Sequence, residues 1–212
     1  MGNYFSELGE NVISAKQERV RELTQRALAD GVDPVEIINS GLIPGMNVVG
    51  ARFKAGDMFV PEVLMSARAM NAGMELVKPL LVGKEVPSQG KVVLGTVKGD
   101  LHDIGKNLVS MMLESAGYTV INLGVDVSAA KFLQAVKENK PDILGMSALL
   151  TTTMLGMKDV IELLKEEGLR DQVKVVIGGA PISQEFAREI GADGFAPDAG
   201  SATELCHQLV AR

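Results

Sequence analysis

Apolar positions follow two different rhythms along this chain. Between Gln17 and Leu81 they recur at helical spacing: Val20, Leu23, Thr24 and Ala27 share one face, and so do Val63, Met70, Met74 and Val77 further on. Nothing in this half alternates as a half-buried strand does. Gly31-Val32-Asp33-Pro34 places an Asp cap before a first-turn proline, and the glycines within 41–45 and 56–57 are expected to break later runs. About four helices are predicted between Gln17 and Leu81, with a short one ahead of them. The methionines Met65, Met70 and Met74 read as bundle core.

The segment 82–90 is mostly polar, carries Gly and Pro, and is the expected linker. Beyond it the rhythm changes. Apolar β-branched runs at 91–97, 119–123, 143–147 and 173–177 each precede an amphipathic helical stretch, and 194–196 is a weaker fifth strand before a last helix over 201–210. This alternation predicts a doubly wound parallel sheet of five strands with helices on both faces. The expected division is a helical domain over 1–81, a linker over 82–90 and an α/β domain over 91–212.

Composition narrows the possibilities. With 212 residues, 46% of them hydrophobic, the chain can fill one ample core or two modest ones. Its 21 Lys and Arg against 27 Asp and Glu give a formal charge of -6, which repels a phosphate backbone, so no nucleic-acid partner is expected. One cysteine, Cys206, allows neither an internal disulfide nor a multi-thiolate metal site. There is no basic-then-apolar leader and no run long enough to span a bilayer, so a cytoplasmic protein without a membrane partner is expected.

Candidate chemistry lies at the carboxyl ends of the predicted strands, where ligands bind in open parallel sheets. The loop 98–107 after the first strand reads Lys-Gly-Asp-Leu-His-Asp-Ile-Gly-Lys-Asn, with a helix expected over 107–116. Only His102 and His207 are available, too few for a metal site built from protein ligands alone, but one axial histidine suffices if a macrocycle supplies four ligands. Asp100 is placed to accept a hydrogen bond from the other ring nitrogen of His102. Taken alone, Asp-x-His is more often an ordinary polar loop, with Asp103 capping the next helix. Two more loops share the same sheet edge: the hydroxyl run 147–153, containing Ser147, Leu149, Thr151 and Thr153, and Gly178-Gly179-Ala180-Pro181. Each in isolation reads as a cap or a tight turn; together they outline a slot.

Asp100/His102/Gly105, then Ser147/Leu149, then Gly178/Gly179, resemble in order and spacing the Asp-x-His-x-x-Gly, Ser-x-Leu and Gly-Gly segments of B12-binding proteins. The runs 45–53, 58–63 and 66–68 resemble the cap domain of cobalamin-dependent methionine synthase, so the likeness runs from about Gln17 to the C-terminus. The chain has no room for the folate, homocysteine and reactivation modules of a full synthase, and it looks like the small corrinoid proteins of anaerobic methyl-transfer systems. That resemblance implies a helical-bundle cap followed by a flavodoxin-like (Rossmann-like) domain. It also implies a cobalamin or related corrinoid, as methylcobalamin and cob(I)alamin, with cobalt held from below by His102.

The same resemblance assigns further roles. Asp100 and Thr153 relay to the histidine, Thr153 standing where the family has serine. Gly99, Asp103, Ile104 and Gly105 complete the histidine loop. The nucleotide tail would lie between Ser147, Leu149 and Thr151 on one side and Gly178, Gly179 and Ala180 on the other, with Phe195, Asp198 and Ala199 near the corrin rim. In the cap, Phe53, Val60 and Val63 would face the cofactor, Val60 replacing the family's leucine. The implied role is a non-catalytic carrier moving a methyl group from a substrate-specific methyltransferase to a tetrahydrofolate- or thiol-methylating one, with a reductive activase as third partner.

Three other readings compete. A B12-dependent regulator would normally add a basic helix-turn-helix, and none is expected before Gln17. The cobalamin subunit of an adenosylcobalamin mutase does not go with a methionine-synthase-like cap. A phosphoacceptor domain using Asp100 or Asp103 leaves the Gly-Gly loop and the cap unexplained.

Overall fold

The computed structural model describes residues 4–81 and 88–211, and the chain falls into two compact units, the first drawn from residues 1–87 with 115–117 and the second from 88–114 with 118–212. Of the expected linker 82–90, residues 82–87 lie outside the described residues.

The first unit is helical, with α1 (Tyr4–Ile13), α2 (Gln17–Ala29), α3 (Pro34–Glu36), α4 (Ile43–Ala55) and α5 (Val60–Val77). Asp33 caps α3 as the sequence suggests, its carboxylate accepting the N–H of Val35 at 2.7 Å ahead of Pro34. The expected break at 41–45 does not occur. A π-helical stretch, Ile37–Leu42, joins α3 to α4 without interruption. Gly41 and Gly45 instead let α1 cross closely: a Cβ on Gly45 would stand 2.8 Å from the Gly9 carbonyl oxygen and 2.9 Å from Val12 Cβ. Gly56 does end α4, in a left-handed conformation (φ 80°) that a side chain disfavours.

The stripe Val20, Leu23, Thr24, Ala27 of α2 is buried, as are Val63, Met70 and Val77 of α5. Met74 is half-buried, but Met65 is 54% exposed, which corrects its assignment to the core. It lies two residues beyond Val63, about 200° around the helix, and so off the buried stripe.

The second unit alternates β1 (Lys91–Thr96), α6 (Ile104–Ser115), β2 (Thr119–Asn122), α7 (Ala129–Asn139), β3 (Ile143–Ser147), α8 (Leu155–Glu166), β4 (Lys174–Gly178), α9 (Gln184–Ile190), β5 (Gly194–Ala196) and α10 (Ala199–Val210). All strand pairs are parallel, in the order β2-β1-β3-β4-β5. Val93, Leu144, Met146, Val175 and Ile177 pack on one face with Phe132 of α7, Ile161 and Leu164 of α8, and Phe186 of α9. Helix α6 starts three residues earlier than expected, because the Asp103 carbonyl already accepts the N–H of Asn107 at 2.7 Å. Helix α10 likewise starts at Ala199, capped by Asp198.

The register sets Thr96, Ser147, Gly178 and Ala196 side by side in one row across four strands. From β1 the chain crosses outward to β2, then returns to place β3 on the other side of β1. The loops leaving β1 and β3 therefore diverge, opening the crevice where ligands bind in sheets of this order.

Candidate functional site

At the end of β1, Val97 still pairs with the neighbouring strand, donating its N–H to the Ser147 carbonyl at 3.0 Å. The chain then turns sharply. Asp100 donates its N–H back to the Val97 carbonyl at 3.2 Å, and Gly99 takes φ 81°, a conformation open to glycine at little cost. The turn drives the side chain of Asp100 inward, to zero exposure.

A buried carboxylate must be fully hydrogen-bonded to persist as an anion. Asp100 is. Its Oδ1 accepts the backbone N–H of His102 at 3.1 Å and stands 2.7 Å from His102 Nδ1; its Oδ2 accepts the N–H of Leu149 at 2.7 Å and the hydroxyl of Thr153 at 2.8 Å. Burial by itself pushes the Asp100 pKa up. The Leu149 N–H, the His102 ring, the His102 N–H and the Thr153 hydroxyl outweigh it and hold the carboxyl well below the usual carboxylate range.

This decides the tautomer of the imidazole. An ionised carboxylate only accepts, so Nδ1 of His102 is the donor, and in the neutral ring the lone pair falls on Nε2. Among the described residues no hydrogen bond reaches Nε2, and the His102 side chain is 52% exposed. The wholly buried Thr96 fixes the loop from beneath, its hydroxyl donating to the His102 carbonyl at 2.9 Å.

The loops that meet at Asp100 expose polar residues, Lys98, Asp103, Thr151 and Thr152, but also an unusual share of large apolar ones. Leu101 and Ile104 are 71% and 84% exposed, and Leu149 and Leu150 are also exposed. A Cβ on Gly105 would meet nothing within 4 Å. Apolar side chains left open beside an outward nitrogen lone pair fit a broad, flat, largely apolar ligand that brings its own equatorial donors. Among the described residues, no group of three or more His, Cys, Asp or Glu side chains is placed to hold a metal ion. A corrinoid, with four nitrogens of its own and one axial position to fill, suits what the residues offer.

The third loop is shaped by close approach. Gly178 closes β4, and Gly179 (φ 128°) comes so near the next loop that a Cβ would lie 1.8 Å from the Ala148 carbonyl oxygen. Ala148 in turn donates its N–H to the Gly178 carbonyl at 3.2 Å, so the second and third loops are joined. Ser147 is half-buried at the end of β3, and Thr151 and Ala180 are exposed in the loops that follow β3 and β4.

Among the described residues, the side chains of Asp103, Phe195 and Asp198 make no hydrogen bond to the Asp100–His102 pair. Asp103 is engaged with α6, accepting from Asn107 Nδ2 at 2.9 Å. Phe195 is half-buried against the sheet core, Asp198 caps α10 by accepting the Ser201 N–H at 2.8 Å, and Ala199 is buried behind it. On the helical unit Phe53 is half-buried, Val60 is exposed and Val63 is fully buried, while Phe59 beside them is 67% exposed.

Two features of the site were not singled out in the sequence. Thr96 is a hydroxyl at the end of an otherwise apolar strand, and that polarity was its signal. Lys106 is 3% exposed, its ammonium donating to Asn107 Oδ1 at 2.6 Å and Asn122 Oδ1 at 2.9 Å, and so it ties α6 to the end of β2. A lysine at a helix start reads as solvated, and nothing in its spacing reveals the burial.

Known proteins are similar to this chain along nearly its whole length. Two family models, each described as a B12 binding domain, match residues 90–205 and 4–78. A corrinoid protein of Desulfitobacterium hafniense (strain Y51) is 47% identical over 211 residues, 98% of each chain. Dimethylamine corrinoid protein 1 of Methanosarcina acetivorans is 48% identical over 208 residues, 98% of this chain and 97% of that one. In the crystal structure of the methanol:cobalamin methyltransferase complex MtaBC from Methanosarcina barkeri, one chain superposes with a TM-score of 0.87 at 34% identity, over 98% of this chain and 80% of that one. The match to B12 binding domain models in both units, joined with near-half identity to corrinoid proteins from end to end, means that this chain belongs to the B12-binding corrinoid proteins.

Proposed function

We propose that this chain is a cytoplasmic corrinoid carrier that ferries a methyl group from a methyltransferase specific for a methylated amine to a second methyltransferase acting on tetrahydrofolate or a thiol. The observation that carries it is the outward Nε2 of His102, its tautomer set by a buried carboxylate 2.7 Å from Nδ1. The amine donor is favoured because dimethylamine corrinoid proteins match it along nearly their whole length at close to half identity. A substrate methyltransferase partner is supported by the 34% identical chain of the methanol:cobalamin complex. A reductive activase is the third partner this reading calls for.

When bound, the corrinoid supplies a cobalt centre able to accept and release a methyl group. The residues of the chain bind and orient it. His102 would hold its cobalt through Nε2, and Asp100, accepting from Nδ1, fixes the tautomer and the aim of the ring. Thr153 and the Leu149 N–H hold Asp100 ionised, as they do in the structure. Gly99, Asp103, Ile104 and Gly105 shape the histidine loop. Ser147, Leu149 and Thr151 on one side and Gly178, Gly179 and Ala180 on the other receive the nucleotide tail, with Phe195, Asp198 and Ala199 towards the ring margin. Residues 1–81 form the cap, with Phe53, Val60 and Val63 as its cofactor-facing residues, 82–90 the linker, and 91–212 the cobalamin-binding domain.

The test is spectroscopic and then functional. Cobalamin-loaded protein should show the spectrum of cobalamin carrying an axial imidazole, and His102→Ala should lose that signature. An unaltered spectrum in His102→Ala would sink the ligation. Loaded protein should then accept methyl groups from a dimethylamine- or trimethylamine-dependent methyltransferase; acceptance from a methanol-dependent enzyme alone would overturn the donor.

A further inference from the structure

We propose that Asp126, in the loop between β2 and α7, is a positioning residue that clasps the Gly99–Asp100 turn and thereby fixes the aim of His102. The inference rests on the ligand role proposed above for His102.

Asp126 touches that turn twice. Its Oδ1 accepts the N–H of Gly99 at 2.7 Å, and its own N–H donates to the Asp100 carbonyl at 3.0 Å. One residue thus holds the backbone on both sides of the Gly99–Asp100 link. It does so from a left-handed conformation, φ 52°, uncommon for a residue with a side chain and best tolerated by Asn and Asp. Such a conformation persists where its surroundings over-determine it.

Those surroundings are on the same strip of chain. The Gly124 carbonyl accepts the Thr96 N–H at 3.0 Å, the Val127 N–H donates to the Thr96 carbonyl at 2.9 Å, and Val97 and Val127 form a parallel bridge. The loop is therefore bonded to Thr96 on both sides of Asp126, which holds the clasp in place. Without it, the N–H of Gly99, in an exposed turn, has no other hydrogen-bond partner among the described residues, and the freedom of that glycine would pass directly to Asp100. The carboxylate of Asp100 makes four hydrogen bonds whose directions all depend on that backbone.

The two contacts can be separated by substitution. Asp126→Asn keeps both the acceptor oxygen and the tolerance for positive φ. Asp126→Gly keeps the conformation and loses the acceptor. Asp126→Ala loses both. In the full-length apo-protein, amide exchange at Gly99 should be as in the wild type for Asp126→Asn, faster for Asp126→Gly and fastest for Asp126→Ala. Cobalamin affinity should follow the same order, falling about tenfold for Asp126→Ala, the lower end of what outer-shell partners of a ligating histidine contribute. The axial-imidazole spectrum should weaken in parallel and be restored in Asp126→Asn.

The proposal is overturned if Asp126→Ala and Asp126→Gly lower only the melting temperature, with Gly99 exchange, affinity and spectrum unchanged, while His102→Ala loses the axial signature. If instead His102→Ala keeps the wild-type spectrum, the ligand reading itself fails and takes the aiming role of Asp126 with it. The His102→Ala control tells the two failures apart.

Discussion

The Asp100 carboxylate and the His102 imidazole stand 2.7 Å apart across a boundary between core and solvent: the first is wholly buried and the second half-exposed. Two residues apart in the chain, they face different media because a left-handed glycine turns the backbone just ahead of them. The buried partner is saturated with donors, and so the exposed one has only its outer nitrogen to offer.

Asp100→Asn should disturb both properties. An amide presents an acceptor to one side only, so its NH2 would confront either the His102 donors or the Leu149 and Thr153 donors. We expect a loss of about 2 kcal/mol in the stability of the apo-protein at neutral pH and roughly 10- to 100-fold weaker cobalamin binding. The folded pKa of Asp100 is depressed, so its contribution is complete above its unfolded pKa of about 3.9 and is lost as the pH falls further, towards the folded value. Urea unfolding should therefore show a smaller gap between wild type and Asp100→Asn at pH 3 than at pH 7. Equal gaps would contradict the assignment.

Gly179→Ala combines positive φ with a Cβ 1.8 Å from the Ala148 carbonyl oxygen and should destabilise the apo-protein by about 3 kcal/mol. Gly105→Ala is the contrast, since its Cβ meets open space. It should unfold at the same denaturant concentration as wild type, or higher, yet bind cobalamin less tightly. Equilibrium unfolding of both variants beside a cobalamin titration distinguishes packing within the protein from space kept for the ligand.

Gly45→Ala tests the crossing of α1 over α4. Ala is the better helix former by about 1 kcal/mol, so propensity alone predicts stabilisation. The contacts at 2.8 Å to Gly9 O and 2.9 Å to Val12 Cβ predict the opposite. We expect a net loss of about 1–3 kcal/mol from overpacking, read by helical circular dichroism during thermal unfolding. A raised melting temperature would refute the close approach.

Cys206 lies 2% exposed on α10, and burial pushes its thiol up to about 12. It should resist a thiol reagent at pH 8 in the native protein and react only as fast as the structure opens. Labelling that follows the thiolate of a free cysteine, with no slowing in the absence of denaturant, would show the site to be open.

Much of the architecture was legible in the sequence. Periodicity near 3.6 before residue 82 and strand–helix alternation after residue 90 are consequences of which side chains must be buried, and they hold wherever the chain turns in space. They located the β3 and β5 limits to the residue and the other strand ends within one or two. The histidine loop was legible for a related reason: His102, Asp100 and the strand-end glycines are scarce residue types at fixed spacing. Gly41 and Gly45 were misread as breaks because a glycine that admits a neighbouring helix and one that ends a helix look alike in one dimension.

What the sequence by itself determined, then, is the two-part organisation, the parallel sheet, and the candidate pairing of His102 with Asp100. Only the tertiary structure decided that Asp100 is ionised, that the lone pair of His102 falls on Nε2, that Lys106 is buried, and that Asp126 clasps the turn. The reason is physical. Burial patterns are carried by local periodicity, whereas protonation, tautomer and backbone aim depend on donors from residues 26 to 53 positions away, such as Asp126, Leu149 and Thr153, which meet Gly99 and Asp100 only when β1, β2 and β3 lie side by side.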